Sequence, residues 1–119
     1  HLPITYDHKL VGTARYVSRN VHRGLAQSRR DDLESFGYVL IYLVKGNLPW
    51  QGLKAKDKIE RNQKMGEIKQ SISLGKLCKE LPGCFYHYLS YCFELDYDET
   101  PDYQFLANLF KNALRQYVL

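Results

Sequence analysis

Long hydrophobic runs are missing from this sequence, and so are most of the patterns that announce an enzyme. No apolar stretch approaches the roughly 20 residues a helix needs to cross a bilayer, which argues against a membrane-spanning protein. The three cysteines, Cys78, Cys84 and Cys92, are odd in number and lack C-x-x-C spacing. That points to buried thiols in a reducing compartment and argues against a disulfide framework or a zinc site. The four histidines are scattered without ligand spacing. There is no G-x-G-x-x-G, P-loop, G-x-S-x-G or H-E-x-x-H motif, hence no phosphate cradle, nucleophile elbow or zinc-protease helix. Internal repeats and low-complexity segments are absent too. The first residue is His and no signal-peptide core follows it, so a cut piece is expected rather than a secreted precursor.

What remains suits one small helical domain. Hydrophobic residues make up 45% of the 119, enough to offset the ordering entropy of a single core. Residues 1–27 read as an irregular loop, punctuated by Pro3, Gly12 and Gly24, with apolar residues at neither helix nor strand period. A loop of that length in a compact domain is a candidate site. A helix is expected next. Ser28 is a plausible N-cap, Asp31 stands three residues on, and Asp31, Asp32 and Glu34 suit the positive end of the helix dipole. Leu33, Phe36, Gly37, Leu40, Ile41 and Val44 recur at helical spacing, with Val39 and Leu43 beside them, so burial on most sides is expected. Gly46 is the expected left-handed cap.

Residues 47–53 form a turn-rich link carrying Pro49, Trp50 and Gly52. Residues 54–71 read as an exposed polar helix with a thin stripe of Ile59, Met65 and Ile68. A helix over 82–95 presents Phe85, Tyr88, Leu89 and Cys92 on one face. A last helix opens at Thr100-Pro101 and presents Tyr103, Leu106, Phe110, Ala113, Leu114 and Tyr117. No segment alternates as a strand would, so the expected class is mostly α.

Charge gives a weaker lead. The formal excess is +4, which suggests an acidic or phosphorylated partner or ordinary solvated charge. Lys54, Lys56, Lys58, Arg61 and Lys64 form a basic stretch. Nucleic-acid binding is disfavoured there because aromatic residues do not interleave and Asp57 and Glu60 dilute it.

Several motifs are family-specific. Leu10-Val-Gly-Thr-Ala-Arg-Tyr-Val-Ser18 resembles the end of the activation segment of the casein kinase 1 family of serine/threonine kinases. Gln27-Ser-Arg-Arg-Asp-Asp-Leu-Glu-Ser-Phe-Gly-Tyr-Val-Leu40 is similar to that family's F helix. Leu48-Pro-Trp-Gln-Gly-Leu-Lys-Ala55 resembles the link to the next helix, and Pro101-Asp-Tyr103 with Leu106, Leu109 and Phe110 resembles the late helices. The resemblance implies the C-terminal helical part of a kinase large lobe: an activation-segment and peptide-binding loop over 1–27, then about four helices over 28–119. It also implies which parts are not in this sequence. These are the Gly-rich loop, the strand lysine, the catalytic-loop Asp and Asn, and the metal-binding Asp of D-F-G.

Residue by residue, the resemblance implies the following roles. Thr13 supports the catalytic aspartate through its hydroxyl. Asp32, Ser35 and Gly37 match a structural D-x-x-S-x-G pattern, in which the Asp accepts bonds from the catalytic loop. Arg15, the backbone around Gly52, and Arg61 match an anion site that reads a phosphate or acidic cluster on the substrate, for which guanidinium forks are suited. Arg61 stands where Lys is usual and Arg19 where an apolar residue is usual, so Arg19 is a candidate further contributor. Val17 replaces a smaller residue. Solvated surface charge is the alternative for each arginine.

The implied parent reaction transfers the γ-phosphoryl group of ATP, with magnesium, to Ser or Thr of acidic or primed substrates. This piece would bind and orient the peptide and be inactive alone. The implied partners are such substrates and the N-terminal kinase half, and the implied location is cytoplasmic or nuclear. A degenerate or truncated kinase acting as a binding module, or a structural helical domain, remain the other readings.

Overall fold

The computed structural model describes residues 14–118. Thr13, Gly12 and the side chain of Tyr117 lie outside the described residues. Within them the chain is helical, with no strand, as the mostly-α reading required. A 3-10 turn, Ala14–Tyr16, leads to six helices: α1 (Arg19–His22), α2 (Arg29–Lys45), α3 (Lys58–Ser71), α4 (Leu74–Leu77), α5 (Gly83–Glu94) and α6 (Tyr103–Val118). The segment expected to be irregular therefore holds local structure from residue 14 onward. α1 exists because the Ser18 hydroxyl accepts from the Val21 N–H at 3.2 Å.

α2 is the central element. Ser28 N–H donates to Asp31 Oδ2 at 2.8 Å, closing the shortened capping box. Gly46 ends the helix at φ +83°, its N–H bonded to Tyr42 O at 2.7 Å. α2 packs mainly on α5. The approach is close because residue 37 has no side chain: a Cβ there would lie 2.8 Å from Leu89 Cδ2 and 3.0 Å from Tyr88 Cε2. Tyr38, Ile41, Trp50, Leu77, Tyr88, Leu89, Cys92 and Leu106 form the core. Each large apolar side chain buried there is worth about 1.5–3 kcal/mol relative to exposure.

Five expectations need correction. α2 is not buried on most sides: Phe36, Leu43 and Val44 are 53%, 71% and 59% exposed. α1, α5 and the 3-10 turn pack against the face of Asp31, Glu34, Tyr38 and Ile41 instead. α3 begins at Lys58 rather than near 54, because the Asp57 carboxylate accepts from the Glu60 N–H at 2.8 Å and starts the helix there. Ile59, expected in its apolar stripe, is 80% exposed. α6 begins at Tyr103, where Asp102 Oδ1 caps the Phe105 N–H at 3.0 Å, while Thr100 accepts instead from Arg29 at 3.1 Å. Its Tyr103 and Leu114 face outward, and Leu106 is the residue it buries.

Candidate functional site

The 3-10 turn sits over the junction of α2, the 47–53 link and the inner edge of α3. Its position follows from its carbonyls. Trp50, fully buried, donates its indole N–H to Arg15 O at 2.7 Å. Ser35 Oγ donates to Tyr16 O. Lys69 Nζ donates to Ala14 O at 2.8 Å and to Val17 O at 2.7 Å. The link is braced in turn by Gln51, whose Oε1 accepts from Leu48 N–H at 2.6 Å. Gly52 lies at φ +69°, a backbone conformation that a side chain would strain.

This framework opens a cleft of about 410 Å³ lined by Ala14, Arg15, Gln51, Gly52, Leu53, Lys58, Arg61, Asn62 and Met65. Three sequence-predicted residues, Arg15, Gly52 and Arg61, thus come together from three separate segments. The Arg15 guanidinium lies 5.0 Å from the Tyr42 ring centroid, so the α2 side of its approach is aromatic. Lys58 lines the same cleft. In sequence it belongs to the basic stretch expected to be a solvated face. The signal that could have singled it out is its place three residues before Arg61, on the same helix face.

Arg19 is placed elsewhere. Its Nε stands 3.3 Å from Glu34 Oε2 and its guanidinium carbon 3.4 Å above the Phe93 ring. The buried Glu34 carboxylate also accepts from the Arg19 N–H at 2.9 Å and from the Tyr38 hydroxyl at 2.6 Å. A carboxylate taken out of water needs these donors, and that need turns Arg19 inward, away from the cleft. Asp32 is exposed, with Gln27 donating to it, and burial on one side raises its carboxyl pKa. Its neighbour Asp31 is the buried one, 2% exposed, accepting from Ser18 Oγ at 2.7 Å. Helix phase decides this: residue 31 shares the inward face with 34, 38 and 41, whereas 32 falls on the open face with 36 and 43.

Sequence reasoning missed Lys69 altogether. It is 2% exposed although it sits on a helix read as solvated. Its ammonium has three hydrogens and three partners, the third being His22 Nε2 at 2.9 Å. With the ammonium donating, that ring nitrogen accepts and the His22 proton sits on Nδ1. Burial lowers the Lys69 pKa to about 7. Burial, then the nearby Lys69 charge, lowers that of His22 to about 4, because two cations do not share this space.

Comparison of the whole sequence with known proteins gives the family. Casein kinase I homolog 2 of Schizosaccharomyces pombe is 50% identical over 115 residues, which is 97% of this chain. The chain belongs to the casein kinase 1 family. It spans 26% of the length of that yeast relative. No family model matches the chain. The helical architecture is that of the casein kinase 1 large lobe in its C-terminal part. Among the described residues no three His, Cys, Asp or Glu side chains converge as metal ligands would. No helix among the described residues is long and apolar enough to cross a membrane.

Proposed function

We propose that this chain is the substrate-orienting part of a casein kinase 1-type serine/threonine kinase, and that the cleft between the 3-10 turn and α3 binds a phosphate or acidic cluster on the substrate. The observation that carries the reading is the convergence of Arg15, Lys58 and Arg61 on one cleft beside the Gly52 backbone. A lone surface ion pair is worth little, but two guanidinium forks and an ammonium facing one doubly charged group make several charge-assisted bonds. In the parent enzyme the γ-phosphoryl group of ATP, with magnesium, would pass to a Ser or Thr held at a fixed distance from that anchor. Anchoring supplies proximity and orientation, a real share of such catalysis.

The open face of α2, with Asp32, Phe36, Leu43 and Val44, is the surface the other half of the kinase domain would cover. A second reading, a non-catalytic binding module, would use the same cleft for recognition alone. A cytoplasmic or nuclear location is consistent with free thiols at Cys78 and Cys92, which burial raises to about 11 and about 12 and so keeps protonated.

The test compares a phosphoserine peptide with its unphosphorylated twin by fluorescence anisotropy on the purified chain. The phosphorylated form should bind more tightly, and salt should erode the difference. Arg15→Ala and Arg61→Ala should each reduce the phosphate preference about tenfold, the loss of one charge-assisted contact. If both variants keep the wild-type preference, the cleft is not an anion site.

A further inference from the structure

Four consecutive backbone carbonyls, from Ala14 to Val17, are taken by side chains from three other segments. Lys69 of α3 takes the first and last, Trp50 of the link takes the second, and Ser35 of α2 takes the third. The turn bond from Val17 N–H to Ala14 O is a long 3.3 Å. The turn that presents Arg15 is therefore held in place from outside.

We propose that Lys69 is a positioning residue for the cleft: its buried ammonium clamps both ends of the turn and thereby sets where Arg15 enters. This rests on the reading of the cleft as an anion site. The two carbonyls it takes bracket Arg15 in sequence, so a shift of either end redirects that guanidinium. Lys69 is also the one cation among the described residues that is fully buried. Its Nζ lies 5.0 Å from the Trp50 ring and 5.5 Å from the Tyr38 ring. An apolar side chain of the same length would pack against those rings without desolvating a charge. Bulk packing alone gives no reason for an ammonium here; a fixed geometry for the two carbonyls does.

Trp50 reports on this arrangement. It is the only tryptophan in the chain, and its indole N–H bonds the carbonyl of Arg15 itself. In the full chain, Lys69→Met should shift the indole N–H resonance and speed its hydrogen exchange. It should also reduce the preference for a phosphoserine peptide about tenfold, as expected for a misplaced charge-assisted contact. Lys79→Met, at an exposed lysine, should change neither.

An indole resonance and exchange rate unchanged in Lys69→Met overturn the clamp. A changed indole with unchanged phosphate preference overturns the link from the turn to the cleft. If the wild-type chain shows no phosphate preference, the anion reading falls by itself, and the indole still judges the clamp. Should Lys69→Met fail to fold, the unmodified chain decides: a lysine ammonium signal protected from solvent exchange in mildly acidic buffer is expected, and its absence refutes the clamp.

Discussion

Two arginines four residues apart, Arg15 in the 3-10 turn and Arg19 at the start of α1, have opposite fates, and each fate predicts a different phenotype. Arg15 lines an open cleft, so its removal should cost binding and leave stability nearly untouched. Arg19 satisfies Glu34, whose side chain is 3% exposed. Arg19→Ala should destabilise the chain by about 1–3 kcal/mol, seen as a lower urea midpoint, because a buried acceptor loses a donor. Its phosphate preference should stay at the wild-type value. His22 adds a pH dependence. Its pKa falls from 6.5 to about 4 on folding. Between those values the unfolded chain binds a proton that the folded chain refuses, so this contribution is complete above pH 6.5 and is lost as pH falls toward 4. Wild type should therefore lose stability more steeply over that window than His22→Gln, as read from urea midpoints at stepped pH.

At the scale of elements, the α2–α5 contact depends on one missing side chain. Gly37→Ala would gain up to about 1 kcal/mol of helix propensity. It would also press a methyl into Leu89 and Tyr88, both buried, the latter tied by its hydroxyl to Leu33 O at 2.8 Å. Overpacking of this kind costs about 1–3 kcal/mol, so the expected net effect is destabilising, with a lower thermal midpoint. The helices themselves were largely legible in the sequence. The Ser28–Asp31 box, the Gly46 cap and the Tyr88, Leu89 and Cys92 stripe all encode local decisions. The starts of α3 and α6 were less so, because the Asp57 cap went unnoticed in a uniformly polar stretch and Asp102 competed with Thr100-Pro101. The backbone alone does not say which cap wins.

On the scale of the whole molecule, α2 carries an apolar face left exposed among the described residues. Leu43 and Val44 have little packing to lose, so Leu43→Lys with Val44→Glu should leave the urea midpoint within about 0.5 kcal/mol of wild type while reducing dye binding and self-association. On the same scale, the isolated chain should not phosphorylate casein. Its sequence contains neither the lysine nor the metal ligands that phosphoryl transfer needs, and turnover by a contaminant-free preparation would refute this.

The sequence by itself determined the helical class, the family resemblance and the segments that supply Arg15, Gly52 and Arg61, because caps, periodicity and motifs are properties of neighbouring residues. Tertiary structure alone decided that Arg19 turns inward while Lys58 faces the cleft, that Asp31 rather than Asp32 is buried, and that a lysine on a polar helix is as buried as those two acids' neighbour Glu34. The physical reason is the same in each case. A charged side chain goes where its counter-charge and hydrogen-bond partners lie. For Lys69 those partners are carbonyls more than fifty residues away along the chain, at Ala14 and Val17.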